Sequence, residues 1–169
     1  MNLDQINLHL NAYKEHDQTI DAAKFLIHSF GLEHENFAGF GFREELSPNS
    51  MLLTAEGALG HPQMVMIPKN IFDFDLNLVL NMIAHEMLHV RQKAPGNVIE
   101  DKNEREFQAY YEMLFHKVFP QIPDVSDFHR KFFGNKALEY YRRMGKRSEL
   151  QQQYEAQKIE VEQLINSLP

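Results

Sequence analysis

The sequence contains no cysteine in its 169 residues, and this absence narrows the chemistry open to the protein. Disulfide bonds, zinc held by thiolates and a cysteine nucleophile are all excluded. Histidine and carboxylate side chains remain as the only strong ligands for a transition metal. A metal site in this chain must therefore be built from nitrogen and oxygen atoms.

Positive charge is also scarce. Seventeen Lys and Arg residues stand against 24 Asp and Glu residues, which gives a formal net charge of -7. The chain as a whole has no positive field that would attract nucleic acid or anionic lipid. We therefore expect no nucleic-acid partner.

Long apolar segments are missing as well. No uncharged apolar run approaches the roughly 20 residues that cross a bilayer. The N-terminal segment is polar and lacks a basic region followed by an apolar one, which is the pattern of a secretory signal. These features predict a soluble, cytoplasmic protein with no membrane partner.

What the chain does contain is enough apolar material for one core. Hydrophobic residues make up 43% of the sequence and aromatic residues 11%, which suits one domain of this length. We predict a single α+β domain over residues 1–169. Its parts are a helical segment at 1–36, a sheet with two central helices at 37–118, and C-terminal helices at 119–169.

Turn residues organise the first half of the chain. Asp17 is expected to cap a helix that Gly31 ends, and another short helix can precede it. Three segments rich in aromatic and aliphatic residues follow, separated by turns that contain Pro or Gly, at 37–45, 51–56 and 63–68. They predict a small antiparallel or mixed sheet of about three strands.

The second half of the chain predicts helices. Residues 76–93 run without Gly or Pro after Asp73 and Asp75, either of which can cap a helix. This segment is apolar on more than one face, which indicates burial at the centre of the domain. Further helices are predicted after Asp101, after Ser126 or Asp127, and after Ser148.

The central helix carries the sequence His85-Glu86-Met87-Leu88-His89. A spacing of four residues places the two imidazoles about one helical turn apart on one face, where they can share a metal ion. The carboxylate of Glu86 then lies beside the ligand pair and can take a proton from a metal-bound water. This is the HExxH arrangement of zinc hydrolases.

A catalytic zinc ion normally has three protein ligands and keeps a fourth position open. The sequence should therefore supply one more His, Asp or Glu downstream of the motif. Three glutamates on the next predicted helix are available: Glu104, Glu106 and Glu112.

Two stretches, 85–89 and 106–110, resemble the gluzincin metallopeptidases, in which HExxH is completed by a Glu on a following helix. The resemblance covers residues 50–115, and its compactness is most similar to the minigluzincins. In this family a small residue often stands three positions after the ligand Glu, and an Asp four positions after it. Ala109 matches the small residue, whereas Tyr110 departs from the pattern and leaves the histidines without the family's supporting carboxylate.

The resemblance implies a zincin-like fold and one Zn²⁺ held by His85, His89 and Glu106. Glu86 would be the general base for a zinc-bound water, and the substrate would be a peptide or protein. Glu104 stays the alternative third ligand, because residues two positions apart face different sides of a helix. The strand at 63–68 would border the cleft, where an extended substrate can add as a further strand.

Gluzincins also use a Tyr or His to hydrogen-bond the oxyanion, and the downstream candidates here are Tyr110, Tyr111, Tyr140, Tyr141 and His129. For each tyrosine, packing in the core is the simpler explanation.

Three functions are compatible with these observations. The first is a zinc-dependent metallopeptidase, and the second is a zinc-stabilised module that binds or regulates without catalysis. The third is a helical structural protein with a chance motif, in which His85 or Glu86 would be exposed to solvent.

Overall fold

The computed structural model describes residues 1–44 and 47–169. Within these residues the chain forms seven α-helices, three β-strands and one 3₁₀ turn at Ile71–Asp73. The strands are β1 (Phe37–Arg43), β2 (Thr54–Glu56) and β3 (Gln63–Pro68). The helices are α1 (Leu3–Glu15), α2 (Thr19–Ser29), α3 (Leu76–Gln92), α4 (Lys102–Phe115), α5 (Asp127–Arg143), α6 (Glu149–Gln153) and α7 (Glu155–Ser167). The predicted α+β class is confirmed.

The sheet is mixed, with the strand order β1-β3-β2. β1 pairs with β3 in parallel, whereas β2 pairs with β3 antiparallel. β3 is therefore the central strand, bonded on both sides, and the prediction that it borders an open cleft is wrong. β2 is the edge strand next to α3. The predicted strand at 51–56 is shorter than expected, and Glu45, at the end of the first predicted strand, lies outside the described residues.

Most predicted helix caps are present, and one is wrong. Asp17 does not cap α2, because it adopts a left-handed backbone (φ 55°) in the turn after α1, and Gln18 precedes the helix instead. Gly31 follows the end of α2 with φ 64°, a conformation that glycine adopts at little cost. The side chains that accept a hydrogen bond from the first turn of the later helices are Asp75, Asp101, Ser126 and Ser148.

Helix α3 lies between two packed regions. On one side it packs with α1, α2 and the sheet around residues such as Leu26, Val65 and Ile83. On the other side α4, α5 and α7 form a second apolar cluster that includes Phe107 and Val161. This position explains the apolar character of α3 on more than one face.

The C-terminal segment was predicted as one helix and forms two. α6 ends before Tyr154 and α7 starts after it, because the backbone of Tyr154 (φ -103°, ψ 10°) leaves the helical region. The break buries the ring of Tyr154 in the second apolar cluster, next to Phe107. Over the described parts of the chain, every helix is too short or too polar to cross a membrane.

Candidate metal centre

Helix α3 brings the motif residues together. His85, Glu86 and His89 are each only 6% exposed, and the ligand atoms that they offer all lie within 4.8 Å of one another. Burying polar groups of this kind is costly unless partners satisfy them. The buried group could hold a metal ion. Its burial also contradicts the solvent exposure expected from a chance motif.

Helix α4 adds a second carboxylate to the group. One oxygen of Glu106 lies 3.4 Å from His85 Nε2, and the other lies 3.4 Å from His89 Nε2. The two Nε2 atoms are 3.2 Å apart. Ligands at zinc distances of roughly 2.0–2.1 Å in a tetrahedron are separated by about 3.3 Å. The residues present therefore fit a small tetrahedral ion without rearrangement of the backbone.

The other two glutamates of α4 have different partners. Glu104, the alternative ligand, accepts a hydrogen bond from the Tyr154 hydroxyl at 2.7 Å. Glu112 accepts three backbone N–H groups in the turn after α4, from Lys117, Val118 and Phe119. The structure thus brings Glu106, and neither of the others, to the histidine pair.

The pKa values of Glu106 and His89 depend on the charges of the other residues in the group. Burial alone would raise the pKa of Glu106, but hydrogen bonds and charge interactions with His85 and His89 outweigh it and lower that pKa well below its usual range. Burial likewise opposes charging of His89, but Glu106 and Glu86 reverse the effect and raise its pKa above 6.5. An ionised carboxylate facing two imidazoles favours a positive charge between them, whether a proton or a metal ion.

The outer nitrogen of His89 is held by Gln92, one helical turn further along α3. His89 Nδ1 and Gln92 Oε1 are 2.7 Å apart. The amide nitrogen of Gln92 donates to the Arg105 carbonyl and to Gln108 Oε1, both at 3.0 Å. Because a carbonyl can only accept, this fixes the amide orientation, so Oε1 must accept from His89 Nδ1–H. The lone pair of His89 then lies on Nε2, facing Glu106.

These hydrogen bonds continue across α4 to the C-terminal helices. Gln108 donates its amide nitrogen to the Tyr154 hydroxyl, which donates in turn to Glu104. Every donor in this chain points away from His89, and the chain ends on a carboxylate. Burial and the bond to Glu104 raise the pKa of Tyr154 to about 12, which keeps the donor protonated. Glu104 is thus the last acceptor of the chain of hydrogen bonds that begins at His89.

His85 is supported differently. Its Nδ1 lies 3.2 Å from the sulfur of Met113, which is a weak acceptor. The ring of Tyr110 packs edge to face on the imidazole, with the centroids 4.6 Å apart. Tyr110, at the position where the gluzincin pattern has an Asp, therefore makes an aromatic contact with His85.

Glu86 lies beside the two histidines and next to Ala55 of β2. Burial raises its pKa, and this effect outweighs the lowering by His85, His89 and the backbone N–H of Ala55. A carboxyl group with a raised pKa is better matched to proton transfer near neutral pH.

An open cleft of about 600 Å³ borders the group, and His85, Glu86, His89 and Glu106 are among the residues that line it. Its walls come from the segment leading into β2, from α3, from α4 and from α5. Of the five residues predicted to stabilise an oxyanion, only Tyr110 and Tyr140 line it. The hydroxyl of Tyr111 bonds Glu160, that of Tyr141 bonds the Gln151 carbonyl, and His129 contacts Ser126.

No protein-family model, curated protein or solved structure matches this chain. The likeness to gluzincins therefore rests on the motif, on the third carboxylate and on the geometry between them. The zincin-like character of the fold has no further support from similarity.

Sequence reasoning missed three contributors to the centre, namely Gln92, Lys93 and Ala55. Gln92 and Lys93 could have been predicted from the sequence, because they lie three and four positions after His89 and therefore share its helix face. Lys93 Nζ donates to the Ala55 carbonyl at 3.2 Å. Ala55 has no comparable signal, because its role depends on how β2 packs against α3.

Proposed function

We propose that the protein is a zinc-dependent metallopeptidase. The observation that carries this proposal is the convergence of His85 Nε2, His89 Nε2 and both oxygens of Glu106 within 3.4 Å, beside a buried Glu86 that faces an open cleft. Three ligands with one open side are typical of a catalytic zinc site, whereas a structural site is closed by a fourth ligand.

Zinc is the metal that this donor set suits best. Two imidazoles and one carboxylate form a borderline-soft set with tetrahedral spacing, and oxygen-preferring ions such as Mg²⁺ or Ca²⁺ favour more oxygen ligands. His85, His89 and Glu106 would hold the ion. When bound, zinc supplies a Lewis acid that polarises a carbonyl and lowers the pKa of water to about 7.

Glu86 acts as the general base. Its burial disfavours the charged form, so the carboxylate readily takes a proton from the attacking water. It then delivers this proton to the leaving amine, and no covalent intermediate is needed. The backbone N–H of Ala55 lies near the carboxylate and slightly offsets the rise of its pKa.

Tyr110 is the group that we assign to the oxyanion. It lines the cleft, and its ring contacts His85. Burial, followed by the charge of Glu106, raises its pKa, so the hydroxyl stays a donor at all working pH values. A donor that is already in place can stabilise negative charge as it develops in the transition state.

A peptide fits the edge of the sheet. β2 pairs with β3 on one side only, and Thr54 and Ala55 line the cleft. The N–H and C=O of Ala55 point away from β3, towards Glu86 and Lys93. An extended substrate that displaces Lys93 from the Ala55 carbonyl can add to this edge by backbone hydrogen bonds.

The test is Glu86→Gln with cleavage of a mixed set of quenched fluorescent peptides. Gln keeps the shape of Glu but cannot accept the proton, so we expect zinc content and melting temperature close to wild type and a rate lower by at least about 10²-fold. Glu33→Gln is the matched control, because it removes an exposed carboxylate that lies outside the cleft and pairs only with His28 among the described residues. Cleavage by the Glu86→Gln protein at the wild-type rate would refute the mechanism. Loss of zinc from it would make Glu86 a ligand.

A second candidate is a zinc-stabilised module that binds peptides without cleaving them. The observation that favours it is the bond from Lys93 to the Ala55 carbonyl, which occupies the edge of β2 that a substrate would use. Retained zinc and peptide binding, together with no cleavage by wild type, would support this function over the peptidase.

A further inference from the structure

The charge of the cleft differs from that of the chain. The protein carries a formal net charge of -7, yet the side chains lining the cleft include the cations Lys93, Lys102, Arg105 and Lys136. Among the described residues that line the cleft, the only carboxylates are Glu86 and Glu106, and both face the histidines. The cleft therefore offers cations to whatever enters it.

Two of these cations, Lys93 and Arg105, line the cleft from neighbouring positions, because Gln92, next to Lys93, bonds the Arg105 carbonyl. Within residues 1–44 and 47–169, neither Lys93 nor Arg105 has a carboxylate oxygen within 4 Å, whereas Lys136 pairs with Glu139 at 3.3 Å. One nitrogen of Arg105 donates to the carbonyls of Ile99 and Glu100, both at 2.7 Å. These bonds fix the guanidinium group in the loop between α3 and α4.

Lys93 lies at the end of α3 on the face that carries His85 and His89. Burial lowers its pKa, and the charge of Arg105 lowers it further, which together outweigh the opposite effect of Glu86, Glu106 and Glu56. Two like charges in a partly buried site repel each other, and an anion bound between them would relieve this cost. Among the described residues, the only hydrogen bond of the Lys93 ammonium group is the one to the Ala55 carbonyl, which a substrate strand on β2 would displace.

The pair lies at one end of the cleft. Helices α3 and α4 run antiparallel, since Gln92 bonds the Arg105 carbonyl while His85 meets Met113. Lys93 and Arg105 are therefore on one side of the histidine pair, and Met82 and Tyr110 are on the other. A ligand that spans the centre meets cations at one end and an apolar wall at the other.

We propose that Lys93 and Arg105 bind a carboxylate of the substrate, so that the preferred substrates are acidic peptides or peptides that end in a free carboxylate close to the scissile bond. This inference rests on the proposed function. A carboxylate is matched by an ammonium and a guanidinium group through charge-assisted hydrogen bonds. The side chain of Asp or Glu and a C-terminal carboxylate share this chemistry.

The test measures binding and cleavage separately. The probes are N-acetylated heptapeptides of alanine with Phe at the central position. In each peptide one of the six remaining positions carries either Glu or Gln. Every peptide is made once with a free C-terminal carboxylate and once as the C-terminal amide. Calorimetry gives their affinity for the zinc-loaded Glu86→Gln protein, and wild type gives the cleavage rates. We expect at least one carboxylate peptide to bind about tenfold or more tightly than its Gln or amide counterpart. An effect of Glu identifies a side-chain carboxylate, and an effect of the free acid identifies the C-terminus.

Variants assign the preference to residues. Lys93→Gln and Arg105→Gln should each abolish it, Arg105→Lys should retain part of it, and Lys136→Gln, which alters a cation already paired, should leave it unchanged. Zinc content and melting temperature are measured for each variant to confirm an intact centre. Equal binding of all peptides, no binding of any, or a preference that survives both Gln variants would overturn the inference. Cleavage of peptides without a preference for carboxylates would refute the carboxylate site but not the peptidase. Preferential binding of carboxylates without cleavage would refute the peptidase but not the carboxylate site.

Discussion

Replacing Gln92 with leucine tests whether its hydrogen bond prepares His89 to bind a metal. Leucine keeps the approximate size and the helix propensity of Gln. It removes the acceptor of His89 Nδ1–H and the donors to the Arg105 carbonyl and to Gln108. His89 then loses the partner that keeps its Nε2 lone pair towards Glu106.

The expected magnitude follows from the burial of this bond. Loss of the outer partner of a metal-binding histidine typically lowers metal affinity by about 10- to 100-fold. Gln92 is 4% exposed, so water cannot easily replace it, and we expect a loss of about 30-fold, or roughly 2 kcal/mol. The Arg105 carbonyl also loses a donor, which should reduce the stability of the metal-free protein by about 1–3 kcal/mol.

Competition with a chromophoric zinc chelator measures the affinity, and thermal unfolding followed by circular dichroism measures the stability of the metal-free protein. Gln92→Glu is the informative control, because it keeps an acceptor for His89 and should keep zinc affinity within a few-fold of wild type. Gln108→Leu removes the bonds of Gln108 to Gln92 and to Tyr154 but keeps the bond between Gln92 and His89, so it should cost less than Gln92→Leu. A folded Gln92→Leu protein that binds zinc as tightly as wild type would refute the reasoning.

Further expectations concern the ligands themselves. Wild type should bind about one zinc per chain, and His85→Ala or His89→Ala should abolish this binding in a metal analysis, because the two imidazoles act as one chelating unit. Glu106→Ala should weaken zinc binding far more than Glu104→Ala in chelator competition, and the reverse order would move the third ligand to Glu104. Zinc affinity should fall as pH drops through the pKa of His89, which is raised above 6.5, since protonation removes the lone pair. In the metal-free protein the charged His89 contributes stability that is full below about pH 6.5 and is lost as pH rises through the raised pKa. The rise in melting temperature on adding zinc should therefore increase with pH, and a flat profile would contradict the proposed role of His89.

Local patterns were sufficient to predict the central helix and what it carries. An uninterrupted apolar segment behind Asp75 predicts α3, and a spacing of four places His85 and His89 on one face. The approach of Glu106 to both imidazoles agrees with the residue that the resemblance favours, although its role as a ligand stays a prediction.

Features that depend on distant parts of the chain were not predictable. The residue pattern of a strand does not determine whether it pairs in parallel or antiparallel. The sequence therefore could not distinguish a mixed sheet with β3 at its centre from an antiparallel sheet. The cleft edge was consequently assigned to β3 instead of β2. The break at Tyr154 also escaped prediction, since a residue with good helical neighbours leaves the helix only because its ring packs against Phe107.

The hydrogen bonds between Tyr154, Gln108, Gln92 and His89 couple the C-terminal helices to the candidate metal centre. If docking of these helices orients His89 and so favours metal binding, a bound metal must stabilise the docked helices by the same free energy, because coupling between two sites is reciprocal. A bound metal should then slow the local opening of α7, although no residue of α7 reaches the centre. Amide exchange in α7 would thus report on an ion held more than one helix away.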